Sequence, residues 1–112
     1  MEPEGEHRPA ISVQHERGRR RYGAVAGDAV HAVLYYDEEE QADGTIVRDL
    51  RSTVVDPDHA GEGLGSRLVR RALDDARRDG VKVLSTCWFA AGWIERHPEY
   101  EELLCTPTPA GE

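Results

Sequence analysis

The feature that most constrains this chain is a run of alternating glycines, Gly61-Glu62-Gly63-Leu64-Gly65-Ser66, set between a β-forming stretch and an amphipathic helix. Upstream, the segment from Thr45 to Val55 reads as a long strand and ends at Asp56-Pro57-Asp58. Downstream, Leu64, Leu68, Val69, Ala72, Leu73 and Ala76 recur at helical spacing, which predicts a helix over 64–79 that stops at Gly80. Val81 to Thr86 then reads as a short strand. A strand–helix–strand unit of this kind joins two parallel strands by a right-handed crossover.

The rest of the chain supplies antiparallel partners. Ile11 to Glu16, Arg21 to Ala26 and Ala29 to Tyr36 are β-forming, and Gly27-Asp28 is a hairpin turn between the last two. The acidic stretch from Asp37 to Gly44 reads as a solvated loop. Along the strand 45–55, Ile46, Leu50 and Val54 share one parity and Val47 and Val55 the other, so both faces are expected to be covered. Arg48, Asp49, Arg51 and Ser52 interrupt that pattern and suggest a bulge or a functional opening. Phe89 to Arg96 reads as a second helix ended by His97-Pro98, with one more turn over 101–104. The expected fold is α/β: a mixed, mostly antiparallel sheet with one parallel β-α-β unit. A single domain over 11–104 would be flanked by tails at 1–10 and 105–112.

A chain of 112 residues fits one such domain. The 22 acidic residues outweigh the 14 basic ones, for a net charge of −8, which argues against generic binding to nucleic acid or an anionic membrane. No apolar run approaches the ~20 residues of a membrane helix, and the segment from Met1 to Pro9 is polar rather than signal-like. Two cysteines, Cys87 and Cys105, are too few for a disulfide scaffold, so a cytoplasmic setting is expected. The five histidines show no metal-ligand spacing, and no metal site is expected.

The glycine turn carries the chemistry. A helix N-terminus presents unpaired N–H groups and a partial positive charge, and a turn without side chains lets a phosphate reach them. Gly61, Gly63 and Gly65 fit such a cradle, with Ser66 adding a hydroxyl and Arg67, Arg70 and Arg71 adding charge. A flexible loop that needs glycine only for its backbone angles is the competing explanation. A nucleotide P-loop is excluded, because Gly65-Ser66-Arg67 lacks the Gly-Lys-Ser/Thr ending. A dinucleotide fingerprint is excluded, because the spacing is G-x-G-x-G on a late strand.

The segment from Val55 to Leu68 (VDPDHAGEGLGSRL) resembles motif A of the GCN5-related N-acetyltransferases. The segment from Gly80 to Tyr100 (GVKVLSTCWFAAGWIERHPEY) is similar to the end of the short, single-domain members of that superfamily. The resemblance implies acetyl-coenzyme A as cosubstrate, with its pyrophosphate on the amides of Gly61, Glu62, Gly63, Leu64, Gly65 and Ser66. It also implies that strands 45–55 and 81–86 splay apart around the pantetheine arm. Backbone groups at Val54 and Val55 would then pair with that arm, and the acetyl group would lie near Ser52, Thr53 and Val54.

Cys87 falls where the family places a thiol, at the end of a strand and the start of a helix. It would protonate the departing coenzyme A thiolate, carry an acyl group briefly, or line the pocket as a small buried hydrophobe. Phe89 and Trp93, four apart, read as core rather than a substrate cage, and Tyr100 as a dock for the C-terminal segment. Arg19 to Arg21 reads as a solvated strand edge, and Cys105 has no evident partner. Three positions depart from the family pattern. Ala60 stands where motif A usually has Gln or Arg, Ser52-Thr53 where the subfamily often has His-Thr, and Trp88 where a proline often follows the cysteine. The readings are therefore an N-acetyltransferase acting on an amine, a coenzyme A-binding protein with little activity, and an interaction protein that has lost the ligand. A monomer or weak homodimer is expected.

Overall fold

The computed structural model describes residues 10–105, so most of both expected tails lies outside the described residues. Five strands form one sheet in the order β1-β2-β3-β4-β5. They are β1 (Ser12–Glu16), β2 (Arg21–Ala26), β3 (Ala29–Glu40), β4 (Ile46–Val55) and β5 (Lys82–Ser85). The first four pair antiparallel, and β4 pairs parallel with β5 across the crossover helix α1 (Leu64–Asp79). A second helix, α2 (Trp88–Glu95), and a 3-10 turn at Pro98–Leu103 follow. The mixed, mostly antiparallel sheet with one parallel unit is the architecture expected from the sequence.

Alternation along the strands puts one set of side chains under α1. His15, Tyr22, Leu34 and Thr53 form one cross-strand row on that side, and Val13, Ala24, Ala32 and Val55 another. Tyr22, Leu34, Leu50, Leu68, Val69, Leu73 and Trp93 are the large side chains at the centre of the core. The opposite face of the sheet leaves Val30, Tyr35, Val54 and Leu84 exposed, so the expectation that β4 is covered on both faces fails over its second half. The link from β1 to β2 is a short segment built on the 3-10 turn Arg17–Arg19, and among the described residues no helix covers that face.

Asp75, 3% exposed, is held inside the helix–sheet interface. It accepts a hydrogen bond from the Tyr22 hydroxyl at 2.9 Å and two from Arg71 Nε at 3.1 and 3.2 Å. The His15 ring stacks on Tyr22 at 4.1 Å and its Nε2 meets the Tyr36 hydroxyl at 2.6 Å. These contacts satisfy polar groups that burial alone would penalise.

The acidic stretch is where the sequence reading needs correction. β3 runs on through Asp37 to Glu40, and only 41–45 are a turn. Glu38 Oε2 accepts from Arg48 Nε at 2.6 Å, and Glu39 and Glu40 lie opposite Val47 and Ile46. Arg48 is 3% exposed and lies over the Tyr36 ring, so the charge run is an exposed stretch of strand fastened to β4 through Glu38 rather than a loop.

Candidate active site

Two bulges shape the sheet. In β4, Leu50 lies opposite Tyr36 and Ser52 opposite Tyr35, which leaves Arg51 as the extra residue. In β3, Val30 lies opposite Val25 and Ala32 opposite Ala24, which leaves His31 as the extra residue. The bulge at Arg51 resets the alternation of β4. Leu50 and Thr53 therefore both lie on the helix side, while Ser52 and Val54 are exposed. Parity counted along the sequence put Ser52 with Leu50, and the bulge overturns that grouping.

The parallel pairing of β4 with β5 ends at Leu50 and Ser85. The Leu50 carbonyl then accepts from both Thr86 N–H and Cys87 N–H at 3.0 Å, and the chain turns away into α2. Among the described residues, 51–55 of β4 have no strand partner on that side. The splaying of the two strands implied by the resemblance is thus present in the backbone, and it opens a cleft of about 500 Å³. Arg51, Ser52, Thr53 and Val55 form one wall, the glycine turn closes one end, and Thr86, Cys87, Trp88 and Phe89 form the other wall.

The glycine turn has the geometry of an anion cradle. Gly61 and Gly63 have φ of +84° and +77°, a left-handed backbone that side chains with a Cβ rarely adopt. Gly63 caps α1, so the unpaired amides of Leu64, Gly65 and Ser66 face the cleft end. Gly65 is needed for a different reason. A Cβ there would stand 2.9 Å from Phe89 Cζ, so this glycine lets α1 and α2 approach each other. Glu62 is turned to His59, whose Nδ1 lies 2.9 Å from Glu62 Oε1.

The arginines of α1 do not join the cradle. Arg67 Nη2 donates to the Ile11 carbonyl, Arg71 Nη1 to the Val13 carbonyl, and Arg70 lies over the Trp93 ring. All three dock the helix onto β1 or α2, which corrects the expectation that they add charge to the phosphate site. Arg70 and Asp74 are bridged by the Tyr100 hydroxyl, which both meet. That contact docks the C-terminal segment, as expected of Tyr100. Cys105 also lies in ordered structure, its N–H donating to the Val83 carbonyl at 2.7 Å.

Cys87 caps the start of α2 and is 6% exposed. Its Sγ lies 3.5 Å from Thr53 Oγ1. Of the sequence-predicted catalytic residues, Cys87 and Thr53 therefore come together across the cleft, while Ser52 stands on the exposed side of β4. Trp88, 84% exposed at the cleft mouth, was missed as a site residue. Its signal was a large apolar side chain in the first position of a helix beside the cysteine. Phe89 is divided between the core and the cleft wall, whereas Trp93 is fully core and stacks on His97 at 3.7 Å. His59, at the far end of the cleft, was likewise missed.

Comparison with solved structures gives the same architecture. A GCN5-like protein from Staphylococcus aureus superposes with a TM-score of 0.64 at 17% identity, covering 90% of this chain and 94% of its own. A ribosomal-protein-alanine N-acetyltransferase from Brucella melitensis biovar Abortus matches at TM-score 0.55 and 15% identity, over 82% of this chain and 67% of its own. Arabidopsis thaliana Naa50, in complex with the bisubstrate analogue CoA-Ac-MVNAL, matches at 0.54 and 17%, over 73% and 56%. Among curated proteins there is no match. The GCN5-related N-acetyl-transferase family model matches residues 21–103. With the glycine cradle, the splayed strands and a family match over most of its length, the chain belongs to the GCN5-related N-acetyltransferases.

Proposed function

We propose that this protein transfers an acetyl group from acetyl-coenzyme A to an amine by direct attack. The observation that carries this reading is the cleft between β4 and β5, with backbone amides at one end and Thr53 and Cys87 within it. Gly61, Glu62, Gly63, Leu64, Gly65 and Ser66 would hold the pyrophosphate through backbone N–H groups. The unpaired edge of β4 at Val54 and Val55 would pair with the pantetheine amides. An amide on the same strand near Thr53 would polarise the acetyl carbonyl. In the transfer step the neutral amine nitrogen bonds to the carbonyl carbon and the thioester C–S bond breaks. The amine loses a proton to solvent or a base, and the leaving thiolate takes one, for which Cys87 is the nearest candidate.

The acceptor enters from an open side. Only residues 17–20 link β1 to β2, so among the described residues no helix encloses a pocket over the exposed face of β4. This favours an exposed amine, such as a lysine or N-terminus on another protein, over an enclosed small molecule. The net charge of −8 suits a cationic acceptor. Among the described residues no helix is long and apolar enough to cross a membrane, and we infer a cytoplasmic monomer or weak homodimer.

A second reading, coenzyme A binding with little transfer, is favoured by one observation. Among the described residues His59 is the one imidazole lining the cleft, and it is engaged by Glu62 at the phosphate end rather than beside Cys87. Incubation with acetyl-coenzyme A and a panel of peptides and small amines, read by mass spectrometry, decides between the two. Acetylated product that increases with enzyme supports transfer, and tight coenzyme A binding with no product supports the second reading. Without a positioned base the rate should climb as pH rises toward the amine pKa near 10.4. A rate that levels off near neutrality would mean that a base is already in place. Ser52→His should raise the neutral-pH rate and flatten that climb.

A further inference from the structure

Spacing along the chain gives no metal motif, yet the fold assembles one. We propose that His31, Asp56 and His59 form a site for a divalent transition ion of the zinc class, adjoining the phosphate end of the cleft. His31 is the bulge residue of β3, and its carbonyl accepts from Asp56 N–H at 2.7 Å, which pins the end of β4 beside it. His59 ends the 3-10 turn Pro57–His59 that follows. One ligand atom from each side chain lies within 4.8 Å of the other two. A tetrahedral ion about 2.1 Å from each ligand would set them roughly 3.4 Å apart, a closure within reach of side-chain rotation.

The ligand atoms are free and the rest of each group is held. His31 Nδ1 is buried with no hydrogen-bond partner, 3.8 Å from Asp56 Oδ2. That distance is too long for a hydrogen bond and suits two ligands of one ion. Asp56 Oδ1 is occupied by the Asp58 N–H at 3.0 Å, which leaves Oδ2 available. His59 Nδ1 is engaged by Glu62 at 2.9 Å, which leaves Nε2 as the available lone pair. A carboxylate on the distal nitrogen of a ligating histidine is the usual outer support of such a site. The two imidazole rings lie 3.9 Å apart, an arrangement that two imidazolium charges would oppose and a shared cation would satisfy. Two nitrogens and one oxygen suit zinc, cobalt or nickel rather than magnesium or calcium, which prefer oxygen. A fourth position would remain for water or a phosphate oxygen.

The test is titration of the untagged full chain with Zn²⁺ in the absence of coenzyme A, so that its outcome is independent of acetyl transfer. The expected result is one ion per chain, undisturbed by excess Mg²⁺. His31→Ala or Asp56→Ala should weaken binding at least tenfold, and Glu62→Gln by about 10- to 100-fold. His97→Ala and Cys87→Ala should leave it unchanged. Absence of one-to-one binding, or binding that survives His31→Ala, overturns the proposal. If a variant melts early, the Co²⁺ spectrum of the wild type decides instead. Tetrahedral bands without sulfur charge transfer support the site, and sulfur charge transfer moves the ion to a cysteine and sinks it.

Discussion

Thr53 on β4 and Cys87 at the start of α2 are 34 residues apart in sequence, and their side-chain oxygen and sulfur meet at 3.5 Å across the cleft. The contact spans the gap just beyond the last β4–β5 pair, Leu50 with Ser85. It therefore marks the end of the cleft opposite the glycine turn, where a reacting group held at the far end of a long cosubstrate would lie. Cys87→Ala should keep coenzyme A affinity within a few-fold and lower acetyl transfer by roughly 100-fold or more, the loss expected for a positioned proton donor. Thr53→Val, which keeps the shape and removes the hydroxyl, should give a smaller loss. Calorimetry for binding and single-turnover kinetics for transfer read the two separately. An unchanged transfer rate in Cys87→Ala would return the thiol to a packing role.

The glycines of the turn should fail in different ways. Gly63 has a left-handed backbone with open space around its Cα, so Gly63→Asp should leave the domain folded and abolish coenzyme A binding by placing a carboxylate at the amides. Gly65→Ala meets the Phe89 ring and should cost roughly 1–3 kcal/mol of stability, because the helix contact must open. Phe89→Leu in the same chain should recover part of that loss. Thermal melts and coenzyme A titrations separate the two effects, and equal behaviour of the two variants would mean that the turn is only a flexible connection.

Trp88 offers a reporter. It is 84% exposed at the cleft mouth while Trp93 is buried in the core. Coenzyme A should change the tryptophan fluorescence of the wild type and of Trp93→Phe, and leave Trp88→Phe silent. A response that survives in Trp88→Phe would place the ligand elsewhere.

His15 predicts the acid limb of stability. Burial lowers its pKa below the usual 6.5, with Arg17 and Arg48 acting in the same direction and Asp75 opposing them. The unfolded chain therefore binds this proton more readily than the folded one, so the stabilisation is complete above 6.5 and declines as pH falls through that value. Melting temperature should drop between about pH 7 and pH 5, and His15→Gln should flatten the drop. Parallel curves for the two proteins would assign the acid sensitivity to other groups.

Much of this was legible because local signals agreed with one another. Gly63 and Gly80 bracket a stripe of apolar residues at helical spacing, and the helix lies over Leu64–Asp79 as read. The acidic segment was misread because charge usually marks solvent, whereas here Arg48 from the neighbouring strand neutralises Glu38 and lets β3 continue. The side of Ser52 was unreadable for a different reason. Alternation is counted along one strand, and a bulge is visible only in the register of two. The same holds for His31 and Asp56, 25 positions apart and joined by a backbone hydrogen bond that no spacing rule anticipates.

The bulge at Arg51 makes this position matter by count and not by chemistry. Its side chain is about half exposed and makes only surface ion pairs with Asp37 and Asp49, so most residue types should be tolerated there. Deleting the residue is another matter. With one position fewer, Leu50 and Ser52 would become neighbours opposite Tyr36 and Tyr35, the pairing would turn regular, and Ser52, Thr53 and Val54 would keep their sides; what would go is the local bend of β4, and the cleft beyond Leu50 should narrow. The strand behaves like a text with one inserted letter: the words before and after it keep their meaning, and the letter serves only to turn the line.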